Sequence, residues 1–313
     1  MPTRGSEITL RFLAAPTDAG HSGIVSAGRV MEWIDKAGYA CAVGWSGRYC
    51  VTAYVGNVSF TRPVPVGDLV EARARIVSTG RSSMNVLVTV ASGDPRESTV
   101  NRTTECLMVF VSVDDTGRPI SVPSWAPTTP EEAGLNSEAR RHAGIRSKIE
   151  AAMADQTYSS AGTAPRTTLR FLAAPADVNW GGKAHGGVVM RWIDEAAHVL
   201  VTRWTASPDN TAVYIGGVRF YRPVCIGHLV EVEARLLHTG TKSMHVSVHV
   251  RSGDPATQDD LMLTTHCLTV FVALDRQGEA ENAPPWRPVS EEDEALDAHA
   301  EHLVSLRRGR PTL

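Results

Sequence analysis

The stretch Asp177-Val178-Asn179-Trp180-Gly181-Gly182-Lys183-Ala184-His185-Gly186-Gly187 leads into an apolar segment that carries Asp194-Glu195 two helical turns further on. It gathers an amide side chain, an imidazole, paired glycines and a carboxylate. Chemistry at a carbonyl carbon needs such a set: donors to hold negative charge on the oxygen, and an acidic residue facing the same carbon to activate water or attack directly. A helix entered through glycines offers exposed backbone N–H groups and the positive end of its dipole, and Gly186 and Gly187 fit that role. The bland reading of the same pair is a tight loop-to-helix turn.

Reach decides which of these groups can cooperate. Asp194 lies seven residues beyond Gly187, roughly 10 Å along a helix that rises about 1.5 Å per residue. One carbonyl cannot touch both, so a working site needs an acid from a second helix. The sequence supplies one. Leu10-Arg11-Phe12-Leu13-Ala14-Ala15-Pro16 is identical to Leu169-Arg170-Phe171-Leu172-Ala173-Ala174-Pro175 at an offset of 159 (169 minus 10), and the register continues through Met31-x-Trp33-Ile34-Asp35 over Met190-x-Trp192-Ile193-Asp194. Further on it slips by single residues, with Tyr54 over Tyr214 and Cys106 over Cys267, as expected of changes in loops.

The chain is thus two diverged copies of one domain, and the copies differ where the chemistry would be. Copy one has Gly20 in place of Asn179 and Ser26-Ala27-Gly28 in place of His185-Gly186-Gly187, yet it keeps Asp35 opposite Asp194. Helices packed side by side and antiparallel would form two crossed sites. One joins Asn179, His185, Gly186 and Gly187 to Asp35 and is complete; the other joins Gly20, Ser26, Ala27 and Gly28 to Asp194 and is degenerate. Asp35 would be general base or nucleophile. Asn179 would orient water or the carbonyl, and His185 would order the loop or the acyl carbonyl.

The positioning elements repeat in order: a short strand, a glycine-containing loop, a helix, then several strands. Apolar residues at helical spacing predict helices over Gly28–Trp45 and Gly187–Trp204 (Val30, Trp33, Ile34, Ala37 and Cys41; Val189, Trp192, Ile193, Ala196 and Leu200). Val- and Thr-rich runs at Met84–Val90, Cys106–Val113, Met244–Val250 and Cys267–Leu274, broken by Ser-Gly-Asp-Pro turns, predict antiparallel strands. A sheet curled around one helix buries that helix's apolar face, an α+β layout. Thr129-Pro130-Glu131-Glu132 opens a polar helix reaching about Ala154, and Ser290-Glu291-Glu292-Asp293 opens its counterpart after copy two. The expected division is 1–127 and 166–288 for the two domains, 128–165 for a helical linker and 289–313 for a C-terminal helix and tail.

Composition narrows the class. Hydrophobic residues make up 42% and charged residues 21%, with no apolar run near the ~20 residues of a membrane helix. The first residues, Met1 to Glu7, lack a secretory apolar stretch, so the expected compartment is the cytoplasm. Five scattered cysteines with no C-x-x-C pair argue against a disulfide framework or zinc site and read as small buried apolar residues. A net charge of −3 with scattered Lys and Arg lacks a nucleic-acid footprint. No metal or cofactor is expected.

Asn, then His-Gly-Gly at a helix start, then Trp-Ile-Asp-Glu-Ala resembles the signature of the hot-dog-fold acyl-CoA thioesterases, and the fused pair is similar to their tandem (double hot-dog) members. The likeness covers roughly Ile8 to Trp125 and Thr167 to Trp286 and includes Arg-Pro-Val-x-x-Gly at Arg62 and Arg222. It implies two hot-dog domains paired as a pseudo-dimer, hydrolysis of fatty acyl-CoA with coenzyme A as part of the substrate, and further homo-oligomerisation as a trimer of double hot-dogs. It also implies an Asn from one domain acting with an Asp from the other, here Asn179 and Asp35. For the coenzyme A phosphates the candidates are Arg81 and Ser83 in Thr79-Gly80-Arg81-Ser82-Ser83-Met84, Lys242 and Ser243 in the matching segment, and Arg62 and Arg222. Two rivals stand beside this reading. A hydratase or dehydratase on the same fold would want His in an Asp-x-Asn-x-x-His spacing, whereas here His185 stands six positions after Asn179 and two glycines follow it. A catalytically impaired acyl-CoA binder or sensor would account for the losses at Gly20 and Ser26.

Overall fold

A computed structural model describes residues 5–20, 23–97, 99–159, 161–257 and 260–308. Copy one runs β1 (Glu7–Leu13), α1 (Ala27–Ser46), β2 (Cys50–Val55), β3 (Val58–Ser59), β4 (Leu69–Thr79), β5 (Ser83–Gly93) and β6 (Asn101–Ser112). Helix α2 (Pro130–Ala154) follows, and copy two repeats the order with β7 (Arg166–Leu172), α3 (Gly186–Thr205), β8 (Asn210–Phe220), β9 (Leu229–Thr239), β10 (Ser243–Gly253) and β11 (Met262–Ala273), closed by α4 (Glu291–Arg308). The strands form one antiparallel sheet in the order β1-β4-β5-β6-β2-β8-β11-β10-β9-β7, with β3 also on β8. The two copies therefore meet edge to edge at β2 and β8, and the sheet is continuous across them. The α+β expectation of a sheet wrapped around a central helix in each copy is met. The single-residue slips of the repeat fall in the loops 47–49 against 206–209 and 94–100 against 254–261.

Sequence periodicity explains the layering. The apolar stripe of α1 (Val30, Met31, Trp33, Ile34, Ala37, Cys41) and that of α3 (Val189, Met190, Trp192, Ile193, Ala196, Leu200) are buried against the inward residues of the strands, such as Val70, Ala72, Val86 and Val88 in copy one and Val230, Val232, Val246 and Val248 in copy two. Each large apolar side chain so buried contributes about 1.5–3 kcal/mol. Gly38 lets Phe110 lie against α1, because a Cβ there would come within 2.7 Å of the ring. All five cysteines are free; four are buried, but Cys225 is only half-buried beside Lys183 Nζ at 3.3 Å, which departs from the expectation of five buried apolar residues. Among the described residues no helix is long and apolar enough to cross a membrane.

The opposite face of the sheet carries α2 and α4. Thr129 caps α2 by accepting from Glu132 N–H, and Leu296, Ala300 and Leu303 of α4 pack on Leu237 and Leu268. Beneath this layer His249 of β10 and His266 of β11 stack at 3.9 Å between ring centroids, with Tyr158 edge-on to both. Burial pushes both imidazoles down, His266 to about 3, and neighbouring positive charge (Arg235 and Arg251 for His249, His299 and Arg251 for His266) adds to it. The folded protein thus keeps them neutral while the unfolded chain takes up protons near 6.5. Their contribution is complete above pH 6.5 and is lost as pH falls from 6.5 towards 3. Urea midpoints measured across that range are expected to drop for the native chain and to drop less for a His249→Thr/His266→Gln variant.

Candidate active site

Two glycines bring the central helices together. A Cβ on Gly187 would lie 2.7 Å from Glu32 Cα, and one on Gly28 would lie 2.8 Å from Arg191 Cα, so each helix tip rests on the backbone of its antiparallel neighbour. The crossed pairing required by reach follows. Gly187 N–H donates to Asp35 Oδ2 at 2.7 Å, and Gly28 N–H donates to Asp194 Oδ2 at 2.9 Å.

Asp35, only 1% exposed, is held by donors from three elements. Besides the Gly187 amide of α3, Thr52 Oγ1 of β2 donates to Oδ1 at 2.7 Å, and His185 Nδ1, from the loop capping α3, lies 2.6 Å from Oδ2. So short a contact requires a proton between nitrogen and carboxylate. His185 Nδ1 is therefore a donor here and not an acceptor for Gly187 N–H, which lies 3.3 Å away. Burial disfavours the imidazolium, but the carboxylate of Asp35 outweighs it and the His185 pKa is raised on balance. Gly186 leaves room beside the acid, since a Cβ there would meet Asp35 Oδ2 at 3.0 Å and Thr52 Oγ1 at 3.1 Å. Its amide is among those that the first turn leaves without a helical acceptor. A buried carboxylate fixed against a helix tip, with that amide alongside, can activate or attack while the tip receives negative charge.

The second crossed site has the same backbone and fewer side chains. Ser26 replaces the imidazole and accepts from Arg29 N–H at 3.2 Å, Ala27 replaces Gly186, and Ala212 stands where copy one has Thr52. Burial pushes the Asp194 carboxyl up to about 6, against the lowering effect of Gly28 N–H. Gly20 and Asn179 make matching backbone hydrogen bonds, Gly20 N–H donating to Ile24 O at 2.7 Å and Asn179 N–H to Lys183 O at 2.6 Å.

Asn179 is turned into its own loop. Its Oδ1 accepts from Gly181 N–H (2.8 Å), Lys183 N–H (3.1 Å) and Tyr49 Oη (3.3 Å), and Nδ2 lies 3.4 Å from Ala184 O. The structure thus brings Asp35, His185, Gly186 and Gly187 together and places Asn179 in the adjoining wall. Thr52 was not foreseen; the Thr-to-Ala difference at positions 52 and 212 was the signal for it.

A groove of about 810 Å³ crosses both helix tips, bordered by Asn179, Trp180, His185 and Val188 on one side and by Asp18, Ser26 and Arg29 on the other. At its floor, buried Glu32 joins Arg29 and, at 2.6 Å, Arg191 Nε. None of the six residues expected to meet the coenzyme A phosphates lines this groove. Arg62 borders a separate cleft with Asp68 and Asp94, Arg81 and Arg222 are exposed, and Ser83 is half-buried at the start of β5. Lys242 Nζ donates to Ala280 O at 2.6 Å, and Ser243 Oγ lies 3.2 Å from His245 Nε2. These positions sit on hairpins, loops and strand ends.

Comparison with known proteins agrees with this geometry. The profile described as the Thioesterase superfamily matches residues 22–99 and again 181–258, each match containing one helix tip and its acid. Acyl-coenzyme A thioesterase 11 of Mus musculus is 24% identical over 98% of the chain, which spans 54% of that relative's length. Acyl-CoA thioester hydrolase YciA of Salmonella typhimurium is 32% identical over 39% of the chain and 93% of its own length. A solved structure from Lactobacillus plantarum, 11% identical, shares the fold with a TM-score of 0.61 over 88% of this chain and 99% of its own. With the profile found twice and the sheet-wrapped helix built twice, the chain belongs to the thioesterase superfamily, as a tandem pair of hot-dog domains.

Proposed function

We propose that the chain hydrolyses acyl-CoA thioesters to a carboxylic acid and coenzyme A, at the one crossed site that contains Asp35, Thr52, His185, Gly186 and Gly187. The single observation that carries this reading is the fully buried Asp35 carboxylate held at 2.7 Å against the amide tip of the other copy's helix. Both curated relatives above carry names that state the same reaction class. In the reaction the acyl carbon–sulfur bond breaks, water supplies hydroxyl to the acyl carbon, and its proton ends on the thiol. Asp35 takes the proton of the attacking water or attacks the carbon itself; in either route the negative charge that grows on the carbonyl oxygen is met by the helix tip at Gly186. Thr52 and His185 fix the carboxylate in place, one on each oxygen. The decisive assay is release of free thiol from acyl-CoA by the wild-type chain, expected to be catalytic; binding of acyl-CoA without release would overturn the hydrolase reading in favour of a binder.

Sheet register distinguishes the two hairpins expected to meet the nucleotide end. Ser83 pairs with Val111, and Val111 pairs with Val51, next to Thr52. The Arg81 hairpin is thus two strand spacings, roughly 10 Å, from the complete site. Ser243 pairs with Val272 and Val272 with Thr211, which puts the Lys242 hairpin beside the degenerate one. Arg81→Ala is expected to raise KM for acyl-CoA several-fold, about 1 kcal/mol for an exposed charged contact, with kcat unchanged. Lys242→Ala is expected to leave KM as it is.

A further inference from the structure

Aromatic side chains from both copies bracket His185. Tyr39 stands one turn beyond Asp35 on α1, about 6 Å along the axis at ~1.5 Å per residue. Its ring lies 6.3 Å from the His185 imidazole and carries Trp180 face to face at 4.7 Å, with 4° between planes. Trp180 in turn meets His185 edge-on at 6.1 Å, so the imidazole has one ring from each copy against it. Trp180 is 73% exposed and His185 only 8%. The indole is thus hardly buried itself; it walls in the imidazole and ties its own loop to α1.

The same loop is gripped a second time behind the indole. Tyr49, in the turn between α1 and β2, donates its hydroxyl to Asn179 Oδ1 at 3.3 Å, and its ring meets Tyr39 edge-on at 6.4 Å. A Cβ on Gly181 would come within 2.2 Å of Tyr49 Oη, so the ring fits here only against a glycine. Segment 179–185 of copy two is therefore held by Tyr39 and Tyr49 of copy one, and it ends on His185, whose Nδ1 lies 2.6 Å from Asp35. The other tip carries different side chains. His198 stands at the position of Tyr39, and Asp209 at that of Tyr49, Leu274 N–H donating to Asp209 O as Val113 N–H does to Tyr49 O. The counterpart of Trp180 is His21, outside the described residues, and that of His185 is Ser26. The tip that has no imidazole to aim is also the one where Tyr39 and Tyr49 are replaced.

We propose, resting on the hydrolase reading, that Tyr39, Tyr49 and Trp180 are positioning residues: they clamp the copy-two loop against copy one so that the His185 imidazole stays fixed on Asp35. They act through His185, one of the three donors that hold the acid. Rate depends steeply on such placement, a displacement of about 1 Å costing roughly 10²-fold.

The test measures kcat and KM for acyl-CoA hydrolysis, together with the His185 Nδ1 proton resonance in 15N-histidine-labelled protein. The proteins are wild type, Trp180→Ala, Trp180→Phe, Tyr39→Leu and the Trp180→Ala/Tyr39→Leu pair. Trp180→Ala is expected to lower kcat by about 10- to 10²-fold with KM within about threefold. It is also expected to move upfield the Nδ1 proton that the 2.6 Å contact with Asp35 holds downfield. Trp180→Phe keeps a ring on Tyr39 and is expected to retain both kcat and the resonance. Tyr39→Leu should match Trp180→Ala, and the pair should lose no more than the worse single variant, since both open one clamp. Gly181→Ala, whose methyl displaces the Tyr49 ring, reaches the same end from the loop side. A variant in which kcat falls without the resonance moving, or the resonance moves without kcat falling, overturns the assignment. So does a Trp180→Ala variant unchanged in both, or losses in the pair that add. Wild type inert on acyl-CoA overturns the hydrolase reading instead, and the resonances of the same variants still decide whether the clamp aims His185.

Discussion

Asp35→Asn is expected to lower kcat/KM for acyl-CoA hydrolysis by about 10²- to 10⁴-fold, the range for loss of a positioned general acid or base. The substitution keeps the shape of the side chain and its contact with the Gly187 amide, but removes the negative charge on which proton abstraction or attack depends. Asp194→Asn, at the equivalent position, is expected to leave kcat/KM within a few-fold, because Ser26 and Ala212 stand where the other site has His185 and Thr52. Stability gives an independent check. Burial raises the Asp194 pKa to about 6, so the folded state binds a proton that the unfolded chain releases near 3.8. The carboxyl therefore becomes a growing burden on the fold as pH rises from 3.8 to about 6, and Asp194→Asn should unfold no earlier than wild type at neutral pH. Parallel thiol-release assays and thermal unfolding of the two variants measure both quantities. Equal catalytic losses would sink the division into one complete and one degenerate site.

Gly187→Ala is expected to cost about 10²-fold in kcat/KM, with a stability loss of about 1–3 kcal/mol. The added methyl would stand 2.7 Å from Glu32 Cα and 3.2 Å from Asp35 Cβ. The first contact is with backbone, so no rotamer change relieves it, and the helices must separate. A separation of a few tenths of an ångström loosens Asp35 from the amide and from Thr52, which is where rate is lost. Gly28→Ala places its methyl 2.8 Å from Arg191 Cα and is the matched control. Its melting temperature should fall by a similar amount while its activity falls less, since the strained contact is at the other tip. If Gly187→Ala instead keeps wild-type kcat/KM, the close approach of the tips is not what positions the acid.

The crossed site was legible because one length argument forced it. An acid seven residues from its own helix tip has to serve another tip, and the repeat supplied that tip at Gly187 for Asp35 and at Gly28 for Asp194. The wrapped sheet was legible for a similar reason: the strands are long and Val-rich, and the two greasy helices need covering on every side. Thr52 was harder to see. It lies on a strand whose pairing is interrupted between Thr52 and Tyr54, and nothing in a Thr-Ala-Tyr run shows which side chain turns inward until the curl of the sheet is known. The direction of the Asn179 amide was hidden because the residue type suits both a ligand and an Asx-like loop, and here three donors within the fold claim its oxygen. That the Arg81 hairpin lies off the groove was hidden because two strand pairings, roughly 10 Å, stand between it and Thr52, a separation sequence spacing does not encode. Trp180 drew no notice as an isolated aromatic, since its partner Tyr39 is 141 residues away (180 minus 39).

Glu32 and Arg191 occupy the same place in the two copies, yet touch each other across the junction. Two identical polypeptides joined about a true dyad could never do this, because whatever charge one offered there the other would offer too. Bringing two first halves together would set carboxylate against carboxylate, and two second halves guanidinium against guanidinium. The molecule has become keyed: each half recognises only its unlike sister, and that polarity ensures that the tip bearing His185 always finds the acid at 35 rather than its own.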